Sequence, residues 1–301
     1  MNIFDCIVIG GGAAGLSTSL TLGRARRNIG LFDDGTNRNR VTQESHGFIT
    51  RDGTKPHEFR EIGLKELEKY PAISYFNTKI TEITKGKDNE RFTVSTEDDK
   101  EFIAEKIVLA TGVQEVFPIP SVRDYYGKSI FSCPYCDGWE MREKPLVIIA
   151  EDEEYMLHMT KLVYNWSKDL VLITNGVEIS EGGALELQKR HIPIKMEPVK
   201  KLIGADGHLH EIEFESGETI ARSGGFVVPR FYRPITFVEQ LGCEIDENGV
   251  VVTDGMGRTT QKNIYIAGET EKLVPSSLLI SAAEGNKAAI AVNTDFTMER
   301  F

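Results

Sequence analysis

Cys133-Pro134-Tyr135-Cys136-Asp137-Gly138 is the stretch of this chain best suited to chemistry. With two residues between them, the sulfurs of Cys133 and Cys136 can close a disulfide locally, and such a pair gains or loses two electrons by thiol exchange. The chain has only four cysteines in 301 residues. That is no secreted disulfide framework, so a bond here is expected to be catalytic rather than structural. The other reading of CxxC is half a zinc site. Cys6, in an apolar run, and Cys243, in Leu241-Gly242-Cys243-Glu244, offer no second pair at ligand spacing, so no metal is expected. Asp137 directly follows the pair and is placed to relay a proton, its alternative being a turn residue before Gly138.

The elements that must position this pair lie on both sides of it. Phe4 to Gly15 reads as an apolar strand entering Gly10-Gly11-Gly12-Ala13-Ala14-Gly15, followed by an amphipathic helix from about Leu16 to Arg26. Gly10, Gly12 and Gly15 make GxGxxG: a tight turn, close backbone approach to a diphosphate, and close packing of helix on strand. A second strand, Ile29 to Phe32, ends at Asp33, where an acid accepts hydrogen bonds from a ribose. A later strand, Lys106 to Leu109, runs into Ala110-Thr111-Gly112, either a small-residue approach to a cofactor or an ordinary strand-ending turn. Residues 144–176 repeat the outline as strand Leu146–Ala150, a helix from about Glu153 to Trp166, and strand Leu170–Thr174. Their turn reads Ala150-Glu151-Asp152-Glu153-Glu154-Tyr155. Four successive carboxylates complement a helix dipole but take the place and potential a diphosphate needs, and no arginine pair follows Thr174-Asn175-Gly176, so NADPH is not expected to bind.

Between the two outlines, a polar stretch carries Ser45-His46-Gly47-Phe48. His46 either faces a cofactor or substrate or serves as a structural hydrogen-bonder. Glu58 to Lys69 has helical periodicity, and 73–83, 92–95 and 101–103 alternate like strands of a small antiparallel insertion. The chain closes with a strand, Asn263 to Ala267, then Gly268-Glu269, then an apolar helix from about Ser277 to Val292. Net charge is −11, from 46 acidic and 35 basic residues, which leaves no electrostatic footprint for nucleic acid. Apolar runs are strand-sized and too short for a bilayer, and the chain opens on a strand rather than a basic leader, so a cytoplasmic location is expected.

Taken in order, GGGAAG, ATG, CPYCDG and the AGE segment with its alanine-rich helix resemble the low-molecular-weight thioredoxin reductase family of flavoproteins over nearly the whole chain. The resemblance implies an α/β fold of two Rossmann-like, three-layer nucleotide-binding domains. An FAD domain from 1–116 plus 235–301 carries a smaller insert, 117–234, bearing the CxxC. It further implies that Gly10, Gly12, Ala14 and Gly15 hold the FAD diphosphate, that Asp33 holds its ribose, and that Thr111, Gly112 and Gly268 line the cofactor. Ser277 and Leu278 would offer backbone groups near the flavin ring. Glu269 would also bind the cofactor, standing where the family usually has an aspartate that touches the flavin's ribityl and diphosphate region. Cys136 would be the flavin-side sulfur, Cys133 the exchanging one, and the protein a homodimer acting on a protein or small dithiol or disulfide. With the nicotinamide site degenerate, the leading expectation is a dithiol oxidase passing electrons to oxygen, a known group among thioredoxin reductase-like proteins. The alternatives are a disulfide reductase fed by another donor (a flavoprotein, or ferredoxin, which the acidic surface disfavours) or by NADPH bound atypically, and a flavin redox sensor without turnover.

Overall fold

The computed structural model describes residues 3–86 and 91–301. The chain divides into two compact units, one of residues 1–40, 47–114 and 231–301, the other of residues 41–46 and 115–230. The first stretch holds β1 (Ile3–Ile9), α1 (Ala13–Arg24), β2 (Ile29–Asp33), α2 (Pro56–Leu67), β3 (Ile73–Asn77), β4 (Ile80–Lys85), β5 (Phe92–Thr96), β6 (Glu101–Leu109) and β7 (Gln114–Val116). The middle holds β8 (Ile130–Phe131), α3 (Pro134–Asp137), β9 (Leu146–Ile149), α4 (Glu153–Val163), β10 (Leu170–Ile173), α5 (Glu181–Gln188), β11 (Ile194–Lys195), β12 (Val199–Ala205), β13 (His208–Phe214), β14 (Thr219–Ala221) and β15 (Gly224–Val227). The end holds β16 (Arg230–Tyr232), α6 (Phe237–Gln240), β17 (Ile264–Ile266) and α7 (Leu278–Arg300).

In the first unit, β3, β2, β1 and β6 lie side by side and parallel. β6 serves two neighbours in turn: residues 101–104 pair antiparallel with β5, and 107–109 pair parallel with β17. Along β1 the side chains alternate between two cores. Ile7 and Ile9 pack with Phe92, Ile107 and Phe237 on one face, whereas Cys6 and Val8 pack with Leu16, Leu22, Ala288 and Val292 from α1 and α7 on the other. A strand buried on both faces is the usual condition of a parallel sheet. Burial also pushes the Cys6 thiol well above its ordinary pKa, which leaves it inert.

Two elements differ from the sequence reading. Ile73–Asn77 belongs not to an antiparallel insertion but to the parallel sheet, paired with β2. α2 supplies the crossover that parallel pairing needs, and Phe76 stacks on Phe32 of β2 with ring centroids 4.5 Å apart. Apolar periodicity ends α7 at Val292, yet the helix continues to Arg300. Its last turns are held by charge: Asp295 accepts from Arg258, and Glu299 takes the buried Lys106 ammonium, 2.8 Å to each oxygen.

The second unit has a five-stranded parallel sheet in the order β11-β10-β9-β15-β8, and a separate antiparallel sheet β12-β13-β14. β9 alternates as β1 does, Val147 and Ile149 into one core, Leu146 and Ile148 into the other. Among the described residues, no helix is long and apolar enough to cross a membrane.

Candidate active site

In the first unit, the predicted cofactor residues converge at the C-terminal ends of β1, β6 and β17. Gly10 has φ +107°, and a Cβ there would fall 2.2 Å from the Ala110 carbonyl oxygen. At Gly15 a Cβ would fall 1.7 Å from the Gly10 carbonyl oxygen. These two glycines are therefore fixed by packing. Gly12 is different: it is the N-cap of α1, makes no side-chain cap, and a Cβ there meets nothing within 4 Å. Open space before a helix N-terminus is what an anionic diphosphate requires.

Asp33 is buried at the end of β2. Its Oδ1 accepts from Gly11 N at 3.0 Å, and its Oδ2 accepts from Nε (2.8 Å) and Nη2 of Arg60, which also donates to the Tyr75 hydroxyl at 2.6 Å. Arg60 was not foreseen; nothing in a surface-patterned helix marks it. Thr111 and Gly112 meet Thr270, whose Oγ1 accepts from Gly112 N at 2.7 Å and lies 3.4 Å from the Thr111 hydroxyl. Thr270 is fully buried, and directly follows Gly268-Glu269, the one signal that could have pointed to it.

Gly268 and Gly285 pack on Ala14, where added Cβ atoms would lie 2.9 Å from its Cβ and 2.1 Å from its carbonyl oxygen. The start of α1 is thus joined to the turn after β17 and to α7. Ser277 caps α7 by accepting from Ile280 N at 3.2 Å, and Leu278 is the first helical residue. Glu269 is held by Arg38 and by Ser276 N. Glycine turn, open helix N-terminus and ringing small residues fit a dinucleotide such as FAD.

In the second unit, Cys133 and Cys136 are disulfide-bonded with Cα atoms 5.3 Å apart. Cys133 is the N-cap of α3, Pro134 its first residue, and the Cys133 carbonyl accepts from both Cys136 N and Asp137 N at 3.1 Å. Proline at a first helical position costs no hydrogen bond, so the motif closes one tight turn. Gly138 is required here, since a Cβ would fall 2.4 Å from the Pro134 oxygen and 2.8 Å from the Trp166 ring. Tyr135 and Trp139 beside the pair are 77% and 65% exposed, and Arg142 lies over Trp139 at 4.0 Å. Half-buried Asp137 ends α3. His46 belongs to this unit, with Nε2 3.7 Å from carboxylates of Glu44 and Glu140. Among the described residues, no group of three or more His, Cys, Asp or Glu could hold a metal ion.

The turn between β9 and α4 is filled from within. Asp152 caps α4, accepting from Glu154 N at 3.0 Å and Tyr155 N at 3.3 Å. Glu151 accepts from Asn175 at 2.8 Å, and Glu153 accepts from Ser180 N at 2.9 Å and from the Ser180 hydroxyl. Those Ser180 hydrogen bonds hold the Glu153 carboxyl below its ordinary pKa.

The family described as Pyridine nucleotide-disulphide oxidoreductase matches residues 4–150. The thioredoxin reductase sirT of Leptosphaeria maculans is 31% identical over 89% of this chain and 87% of its own. The thioredoxin reductase aclD of Aspergillus oryzae is 28% identical over 96% and 95%. The crystal structure of TrxB from Bacillus anthracis superposes with a TM-score of 0.97 at 58% identity, covering 99% of this chain and 100% of that one. With these likenesses joined to the glycine cradle and the Cys133–Cys136 pair, the chain belongs to the thioredoxin reductase-like family of FAD-binding, flavin-dependent disulfide oxidoreductases.

Proposed function

We propose that this protein is a dithiol oxidase. A substrate dithiol attacks the Cys133–Cys136 disulfide as thiolate, a mixed disulfide forms, and the second substrate thiol displaces the enzyme sulfur, leaving an oxidised substrate and two cysteine thiols. Cys133 would be the sulfur that exchanges with the substrate and Cys136 the one that passes electrons on to the flavin. Asp137, directly after the pair, holds the proton that Cys136 must give up. His46, with Nε2 3.7 Å from the carboxylates of Glu44 and Glu140 in the same unit, would face the substrate side of the pair. Gly12, Ala14, Asp33, Thr111, Gly112, Gly268, Ser277 and Leu278 would hold the cofactor. When bound there, FAD would supply the two-electron couple between the cysteine pair and dioxygen, the electrons leaving as hydrogen peroxide.

The observation that carries this reading is the turn before α4. Asp152 already satisfies the helix donors that a pyridine nucleotide's diphosphate would use, and Glu151 and Glu153 flank it. With the pyridine nucleotide disfavoured there, the dithiol is the electron source in this reading.

The test is anaerobic flavin bleaching by a dithiol, by NADPH and by NADH, followed by admission of air. Bleaching by dithiol alone, with rapid recovery and peroxide formation in air, is expected. Rapid bleaching by NADPH would overturn the proposal. The names of the fungal relatives favour a second reading, a thioredoxin-type disulfide reductase. It predicts bleaching by NADPH or a donor protein, and sluggish reoxidation in air.

A further inference from the structure

Asp33, at the end of β2, is 7% exposed, and its carboxylate lies against the glycine turn. Gly11 N donates to Oδ1 at 3.0 Å, and a Cβ added at Gly11 would fall 2.6 Å from both Cγ and Oδ2 of Asp33. Arg60 of α2 is paired with this carboxylate, and it is the only cation so paired among the described residues. Both of its bonds go to one oxygen: Nε, at 2.8 Å, and Nη2 donate to Oδ2. The guanidinium is fixed from its far side as well, since Nη2 donates to the Tyr75 hydroxyl at 2.6 Å and that hydroxyl donates to Asn77 Oδ1 at 3.3 Å. Asn77 is the β3 residue in register with Asp33, so β2, α2 and β3 close a ring of contacts around the pair.

A carboxylate offers about four acceptor positions, two on each oxygen. Arg60 takes both on Oδ2 and Gly11 N takes one on Oδ1. What is left is the second position of Oδ1, the oxygen bonded to the turn that would receive the diphosphate. A hydroxyl of the cofactor's adenosine ribose is the group that would use it. Separated from the fork, the carboxylate is a buried charge without a partner and is free to turn about its Cβ–Cγ bond, and the open position goes with it. We propose that Arg60 is a positioning residue for FAD: by filling Oδ2 it holds Asp33 so that Oδ1 accepts from an adenosine ribose hydroxyl, and it thereby sets the preference for a cofactor that carries those hydroxyls. The proposal rests on reading the first unit as the FAD site with Asp33 at the ribose.

The experiment equilibrates purified wild type, Arg60→Met, Asp33→Asn and the double variant with an equimolar excess of FAD and an analogue whose adenosine ribose lacks both hydroxyls, made by joining FMN to dideoxyadenosine monophosphate. After ultrafiltration, chromatography reads the ratio of the two flavins retained, and melting at saturating FAD checks folding. Wild type is expected to favour FAD about tenfold, and Arg60→Met to bring the preference to about threefold or less. Asp33→Asn should do the same, and the double variant should lose no more than either. A merely structural role for Arg60 would weaken both flavins alike and leave the ratio of Arg60→Met at the wild-type value, which overturns the proposal. So does an Asp33→Asn variant that keeps the preference Arg60→Met loses, because Arg60 would then not act through Asp33. Should Arg60→Met not fold, Arg60→Lys decides, since it keeps the charge and loses the fork: a preference cut about threefold or more supports the proposal, and an undiminished one overturns it. Wild type that retains neither flavin sinks the reading of the first unit and this one with it. Wild type that retains both flavins equally sinks this one alone.

Discussion

Gly12 and Asp152 occupy the same place in two copies of one architecture, each the N-cap between a buried parallel strand and the helix after it. At Gly12 the space before α1 is open and no acid stands in the first turn. At Asp152 a carboxylate caps the helix, and Glu153 and Glu154 follow in the first turn. A helix N-terminus has orphan N–H groups and a positive potential that either a ligand or the protein's own carboxylate can satisfy. The two turns make opposite choices. The difference lies in side chains, not in topology: the same strand, turn and helix can carry an open N-terminus or one capped by the chain's own carboxylate.

The most severe way to break this contrast is to put an acid where the first turn is open. Gly12→Glu places its Cβ in empty space, so the unit should fold, and puts a carboxylate at the helix start proposed to receive the diphosphate. FAD retention is expected to fall about a hundredfold or more. The absorbance ratio of flavin to protein after ultrafiltration, with circular dichroism as the folding check, reads it out. A variant that keeps its full flavin complement would show that the openness at Gly12 has no bearing on binding.

The first unit has no acid in the first turn of α1, and it also uses acids at the C-terminal half of α7. Asp295 accepts from Arg258 Nε at 2.8 Å and Nη2 at 2.9 Å, and from the Tyr265 hydroxyl at 2.5 Å. Burial pushes the Asp295 carboxyl up, but the hydrogen bonds from Arg258 and Tyr265 outweigh it and leave the group below its ordinary pKa. A folded-state pKa below the unfolded one contributes stability that is present above the unfolded value and lost as pH falls through the folded one. Asp295→Asn should cost about 2 kcal/mol near neutrality and progressively less as pH falls below about 3.9, where wild type begins to lose the same contribution. Flavin release during urea unfolding at several pH values follows this unit. An unchanged gap between variant and wild type down to strongly acid pH would refute the assignment.

How much of this was legible in the sequence follows from which residues act locally. β1, the glycine turn, α1 and Asp33 form a contiguous pattern, so strand, helix and cradle could all be read. The acidic turn at 151–154 was equally plain, because a helix start and its charges are neighbours in sequence. Arg60 and Arg38 could not be read, since their partners Asp33 and Glu269 lie 27 and 231 residues away and an arginine in a polar stretch carries no mark of its partner. β3 was misassigned because alternation identifies a strand but not its neighbour; Phe76 on Phe32 decides that. The last turns of α7 were missed because Phe296 is their one buried apolar residue and charge pairs supply the rest of what holds them. His46 groups with the disulfide's unit only through the short excursion 41–46.

The gentlest change sharpens the contrast from the other side. Asp152→Ala removes the cap of α4 and leaves the Glu154 and Tyr155 amides without their side-chain acceptor, which should cost about 1 kcal/mol. Both tryptophans, Trp139 and Trp166, lie in the second unit, so intrinsic fluorescence during urea unfolding follows that unit, and flavin content should not change. Freed N–H groups alone do not make a nucleotide site while the carboxylates of Glu151 and Glu153 flank them, the latter held below its ordinary pKa by Ser180. Anaerobic NADPH should therefore still fail to bleach the flavin of Asp152→Ala. If bleaching appears in this variant and not in wild type, one carboxylate had been the whole barrier. If wild type bleaches as readily, the filled turn excludes nothing, and the electron donor has to be sought on the nicotinamide side.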